Sequence, residues 1–125
     1  MALALAAAAC ASEPVDPDMA GGSAVYETCA ACHGKTGGGG VGPALTDVRV
    51  TFPDCETHIE WIRLGSERWK VEVGETYGAN DATIEQVMPA FESLGDEALR
   101  RIAMYERVRF GGGELEDERA ACGLD

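Results

Sequence analysis

Basic charge is scarce in this chain of 125 residues: ten Lys and Arg stand against 22 Asp and Glu, a formal net charge of −12. Lys35 and Lys70 are its only lysines. That balance argues against nucleic acid and against an anionic membrane surface as partners. It suits either high solubility or a partner with a basic docking face. Aromatic residues make up 6% of the chain, so its own side chains build only a modest core. Long apolar runs are missing too. Met1 to Ala9, almost purely Ala and Leu, is too short to cross a membrane as a helix. Alternating strand patterns and internal repeats are absent. No Gly-Lys-Ser/Thr follows the glycine run Gly37 to Gly40, which excludes a phosphate loop. The length fits one domain.

Against this background Cys29-Ala30-Ala31-Cys32-His33 stands out. C-x-x-C-H is the attachment spacing of a c-type haem. On a helix, two cysteines three apart can each form a thioether with a haem vinyl group, and the next histidine reaches the iron. A structural zinc site would need two further ligands, and no second C-x-x-C or H-x₃₋₅-H exists. A thioredoxin-like pair would sit in a βαβ pattern, which is missing here.

The residues that follow extend the pattern. Gly34, the glycine run and Gly42-Pro43-Ala44-Leu45 come next, and Met88-Pro89-Ala90-Phe91 lies further on. With C-x-x-C-H-G, G-P-x-L and M-P-x-F, the chain resembles the class I c-type cytochromes. The resemblance implies an all-α cytochrome c fold, three to four helices around one covalently bound haem c, over residues 22–125. It also implies that the Pro43 carbonyl accepts the hydrogen bond of the free His33 ring nitrogen and fixes its tautomer. The four glycines themselves read as a flexible loop.

A second axial ligand is the next question. Met1 and Met19 precede the domain, and Met104 falls on the helix face opposite the apolar stripe, as a surface or packing residue. Met88 stands 55 residues after His33 and directly before Pro89. The proline pushes Met88 out of the helical region, so its side chain can project from a loop. The M-P-x-F resemblance points to the same residue, giving His33 and Met88 as the metal ligands. A gap-filling core methionine is the plain alternative. His58, the other histidine, lies in a short helix from Asp54 to Leu64 with Asp54 as cap and Gly65 as terminator. Ile59 and Ile62 form its buried stripe, which leaves His58 solvated beside it.

Residues 1–10 resemble the apolar part of a secretory signal, and Ala7-Ala8-Ala9-Cys10 resembles a lipoprotein processing site with Cys10 acylated. A plain Ala-rich signal cut near Cys10 or Ala11 is the other reading. No Lys or Arg precedes the run, so the segment is either atypical or preceded by further residues. In either case the chain is expected outside the cytoplasm, in the periplasm or on the outer face of the membrane. Residues 11–21, with Glu13, Pro14, Asp16, Pro17 and Asp18, read as an acidic tether. Two cysteines serve the haem and one a possible anchor, which leaves Cys55 and Cys122 for a disulfide in an oxidising compartment. Closing that 67-residue loop stabilises by roughly 4 kcal/mol in the chain-entropy model.

A first helix is expected from about Ser23 to Cys32, capped by Ser23. Gly22 and Tyr26 share one of its faces and resemble the family's G-x-x-x-aromatic contact with the last helix. That last helix, about Asp96 to Phe110, carries Ala98, Leu99, Ile102, Ala103 and Tyr105 on one face. Asp96 and Glu97 open it and Arg107 and Arg109 close it, as the helix dipole favours. Gly65 to Gln86 read as a long loop in which Trp69 and Tyr77 either donate to a haem propionate or pack.

The expected function is a single-haem electron carrier between respiratory redox proteins, such as a quinol-oxidising complex and a terminal oxidase or reductase. Its contact with a membrane would run only through a lipid on Cys10. One alternative is a haem c subunit of a larger oxidoreductase or sensory complex. Another is a peroxide- or small-ligand-reactive haem enzyme with an open iron position, for which no distal histidine or arginine pattern exists.

Overall fold

A computed structural model describes residues 14–125; Cys10 and the rest of the signal-like segment lie outside them. Five helices surround the core, with one short hairpin: α1 (Pro17–His33), α2 (Val48–Thr51), α3 (Cys55–Glu72), β1 (Thr76–Tyr77), β2 (Ala82–Thr83), α4 (Asp96–Arg109) and α5 (Leu115–Ala121). A 3₁₀ turn over Glu92–Leu94 leads into α4.

α1 starts earlier than expected. Asp16, not Ser23, caps it, its carboxylate accepting from the amides of Asp18 at 3.0 Å and Met19 at 3.1 Å. Pro17 follows at the first helical position, where its missing N–H is no loss. The helix therefore takes in Pro17 to Gly21, half of the segment read as a tether. Asp16 and Asp18 are ion-paired to Arg119 of α5, and Asp18 also to Arg101 of α4. These partners are distant in sequence, so local composition alone suggested a solvated linker.

α1 and α4 cross at Gly22. A Cβ there would stand 2.4 Å from the Tyr105 Cβ and 2.8 Å from the Arg101 carbonyl, so only glycine permits the approach. Tyr26, Tyr105 and Phe110 cluster beside the crossing, with ring centroids 4.8–5.8 Å apart.

α4 packs against α1, α2, α3 and α5. Enclosure from several sides overrides the single apolar stripe: Leu99, Ile102, Ala103 and Met104 are buried, and Met104 is fully so. Of the two roles expected for Met104, surface or packing, it takes the second, as a core residue. Arg107 is also inside. It bonds Glu118 at 2.5 Å and the carbonyls of Phe52 and Pro53 at 2.6 and 3.1 Å, so it ties α5 and the α2–α3 turn to α4.

α3 passes through Gly65 instead of ending there. Gly65 has φ 70° and ψ 174°, which breaks the helical path, and a second helical run continues to Glu72. The expected long loop is therefore part helix and part hairpin, with Thr76 paired to Thr83 and Tyr77 to Ala82. Such short elements, two residues per strand, carry no usable periodicity. Cys55 and Cys122 form a disulfide with Cα atoms 5.2 Å apart, joining the start of α3 to the end of α5.

Candidate functional site

A cavity of about 580 Å³ opens between the end of α1, the loop after it, α3 and the segment before the 3₁₀ turn. Its chemistry begins at the last turn of α1. Cys29, Cys32 and His33 all line it, Cys29 and His33 buried and Cys32 exposed. Burial pushes the Cys29 thiol up to about 12, and the Glu106 carboxylate adds to the shift. The thiol is accordingly neutral at physiological pH.

Gly34 turns the chain out of the helix, and the following loop folds back over His33. The Gly39 amide donates to the His33 carbonyl and the Gly42 amide to the Cys32 carbonyl, both at 2.9 Å. Leu45 N–H donates to the Gly37 carbonyl at 2.8 Å. The glycine run is therefore a pinned loop, not a flexible one. Gly42 lies flat against the imidazole, where a Cβ would come within 2.9 Å of His33 Cε1. This approach brings the Pro43 carbonyl to 2.8 Å from His33 Nδ1. A carbonyl can only accept, so Nδ1 carries the proton and Nε2 keeps the free lone pair.

Met88, Pro89 and Phe91 form part of the wall. Met88 is half-buried in a non-helical segment, as the following proline requires. Among the methionines of the described residues it alone lines the cavity; Met19 and Met104 do not.

His58 is buried, not solvated. Its ring stacks on Phe52 with centroids 5.1 Å apart and planes inclined by 4°. Nε2–H donates to Glu106 Oε2 at 2.9 Å, and Nδ1 has no protein partner. Both side chains touch the cavity. The reading as solvated failed because a carboxylate from α4, 48 residues away, meets the imidazole inside. Glu106 itself was missed. Its position seven residues after buried Leu99 places it on the inner face of α4, an acidic residue where an apolar one is expected.

Trp69 and Tyr77 separate. The Trp69 indole N–H donates to the Thr76 carbonyl at 2.9 Å, and the ring lies outside the cavity wall, packed edge-on against Trp61. Its donor is engaged with the hairpin and is not free for a propionate. Tyr77 does line the cavity, stacked on Trp61 with centroids 4.3 Å apart. Phe52 and Trp61, which sequence patterning did not single out, complete an apolar wall with Ile62, a residue of the expected buried stripe.

These residues fit a haem c. Two cysteines and a tautomer-fixed histidine share one helical turn, an apolar slot lies before them, and a thioether stands on its wall. Cys29 and Cys32 would hold the ring edge, with His33 and Met88 facing the metal. The group supplies a one-electron Fe(III)/Fe(II) couple when bound.

Residues 17–105 match the family described as cytochrome C oxidase, cbb3-type, subunit III. Comparison with curated proteins and with solved structures returns no match. The matched span runs from the capped start of α1 through Met88 and into α4, and so contains the whole wall built by Cys29, Cys32, His33 and the M-P-x-F segment. With a mostly helical fold around that slot, this chain belongs to the class I monohaem c-type cytochrome domains, whose role is haem-binding electron transfer.

Proposed function

We propose that the chain is a carrier of one electron between respiratory redox proteins outside the cytoplasm, through one covalent haem with His33 and Met88 as axial ligands. The observation that carries the reading is the 2.8 Å contact between His33 Nδ1 and the Pro43 carbonyl, which leaves Nε2 free at a slot also walled by Met88. Cys29 and Cys32 each add a thiol across a vinyl group, S–H becoming S–C and C–H. Met88 supplies the thioether, which favours ferrous iron and raises the potential. The apolar wall of Phe52, Trp61 and Ile62 keeps water from the ring face and so limits reorganisation on electron transfer.

An acidic surface with a net charge of −12 suits a partner with a basic face, either a quinol-oxidising complex or a terminal oxidase or reductase. A second reading has support of its own. The matched family is described as an oxidase subunit, so the domain can act as a fixed haem c subunit of a larger complex. Co-purification distinguishes the two: a stable stoichiometric complex favours the subunit, a free monomer with fast exchange the carrier. A lipid on Cys10 would tether either form to the outer face of the membrane.

The test is the optical spectrum of the ferric protein, expressed with cytochrome c maturation. The expected result is one haem per chain, resistant to acid-acetone extraction, and a weak long-wavelength band from thioether sulfur to ferric iron. Met88→Ala should abolish the band, lower the potential and admit imidazole to the iron, while Met104→Ala should leave the band in place. Equal behaviour of the two variants would remove the ligand assignment and favour an open or bis-histidine site.

A further inference from the structure

Gly65 interrupts α3 where the segment carrying Met88 crosses it. A Cβ on Gly65 would stand 2.6 Å from the Ala90 nitrogen, 2.7 Å from the Met88 carbonyl oxygen and 2.7 Å from the Pro89 carbonyl carbon. All three are backbone atoms, so no side chain can swing aside to make room. The φ of 70° is a second reason for glycine, since a side chain there would be strained.

The next residue does the fastening. Ser66 is fully buried. Its Oγ accepts from the Met88 N–H at 2.9 Å, and its own N–H donates to the Met88 carbonyl at 3.0 Å. Both backbone groups of Met88 are thus satisfied by one residue on the rigid scaffold, 22 positions earlier in the chain. One turn before the break, the Ile62 carbonyl accepts from Phe91 N–H at 3.1 Å and ties down the other end of the M-P-x-F segment. A serine at the start of a helical run ordinarily turns its hydroxyl onto the amides of its own first turn. Here the hydroxyl goes to Met88 instead.

We infer that Gly65 and Ser66 are positioning residues for the sixth ligand: the break in α3 forms a two-sided backbone clamp that holds Met88 with its side chain on the cavity wall and resists its displacement. The inference rests on Met88 being that ligand. Pro89 contributes no N–H, so the Ser66 pair and the Phe91–Ile62 bond are the hydrogen bonds that hold the ligand segment to α3. An unsatisfied buried amide would be left behind if the Ser66 hydroxyl were removed, and the segment would leave the scaffold more readily to find water.

The experiment measures imidazole binding to the ferric holoprotein in a cycle of wild type, Ser66→Ala, Met88→Ala and the double variant. Ser66→Ala should retain the thioether band and bind imidazole at least tenfold more tightly than wild type, because the ligand it competes with is held less firmly. In the Met88→Ala background the same change should have no effect. Unchanged affinity in Ser66→Ala, with the band present in wild type, overturns the clamp and leaves the ligand assignment intact. An equal gain in both backgrounds also overturns it, since that reports general loosening. A wild type without the band, binding imidazole as Met88→Ala does, overturns the ligand assignment itself. Should Ser66→Ala yield no holoprotein, amide hydrogen exchange of the ferrous wild type decides. A Met88 N–H protected like those of α3 supports the clamp, and one exchanging as fast as that of the neighbouring exposed residue Val87 overturns it.

Discussion

His58 Nε2 lies 2.9 Å from Glu106 Oε2, with the side chains 2% and 5% exposed, and this contact joins α3 to α4 beside the cavity. A buried pair of this kind is weak evidence for net stability, because bringing both groups out of water costs about what their attraction returns. Removing one partner is a different matter. His58→Leu or Glu106→Leu strands the other polar group inside and should cost about 3–5 kcal/mol. The double variant should cost much less than the sum. Urea denaturation of the holoproteins measures this, and additive losses would show that the two residues do not act as a pair.

Gly22 predicts a reversal of the usual glycine-to-alanine gain. On a free helix that change stabilises by roughly 1 kcal/mol. Gly22→Ala should instead cost about 1–3 kcal/mol, since its Cβ meets the Tyr105 Cβ and the Arg101 carbonyl at 2.4 and 2.8 Å. Gly21→Ala is the control: its nearest neighbour is the Arg101 Cδ at 3.1 Å, the middle of a flexible side chain. It should be neutral or slightly stabilising. Thermal unfolding of both variants gives the answer, and equal shifts would count against a close crossing at Gly22.

The Cys55–Cys122 bridge closes a loop with a sequence separation of 67. Replacing both cysteines by serine should lower stability by about 4 kcal/mol in the chain-entropy model. Linear extrapolation from urea curves tests the size of the loss. A negligible change would mean that the Arg107–Glu118 pair and the ion pairs of Arg119 already restrain α5.

Asp54 supplies the pH dependence. Its carboxylate accepts from the Thr57 amide at 2.8 Å at the start of α3, and this bond holds its pKa below the ordinary value of 3.8. A lowered folded pKa means a stabilisation present in full above about pH 4 and lost as the pH falls through the folded value. Asp54→Ala should therefore cost about 1 kcal/mol at neutral pH, the usual worth of a cap, and progressively less as the pH falls below about 4 and the carboxylate is protonated. A penalty that does not shrink with falling pH while the protein stays folded would show that the carboxylate charge plays no part.

Several features were legible in the residues because they are local. C-x-x-C-H announces its chemistry through spacing on one helical turn. The Met88-Pro89 step dictates a non-helical ligand segment through the proline ring alone. The interior of α4 follows from Leu99, Ile102 and Ala103 at helical period, and the stop after it from Gly111 to Gly113.

Elsewhere the deciding partner lies far along the chain. The segment containing Asp16 and Asp18 starts a helix on the Asp16 cap and Pro17, and it is docked rather than a solvated linker because Arg101 and Arg119 arrive from α4 and α5. Met104 went inside because more than one helix surrounds α4. His58 reads as solvated until Glu106 is brought to it, and Trp69 as a free donor until the Thr76 carbonyl takes its N–H.

By itself, then, the sequence determined which residues can hold a haem: the spacing of Cys29, Cys32 and His33 and the proline after Met88 are properties of neighbouring residues and need no fold to be read. The G-P-x-L resemblance also implied Pro43 on His33, which the structure has at 2.8 Å; only the tertiary structure decided the other two contacts, Ser66 on Met88 and Glu106 on His58. These two are hydrogen bonds between groups 22 and 48 positions apart, and such contacts exist only once the helices have packed.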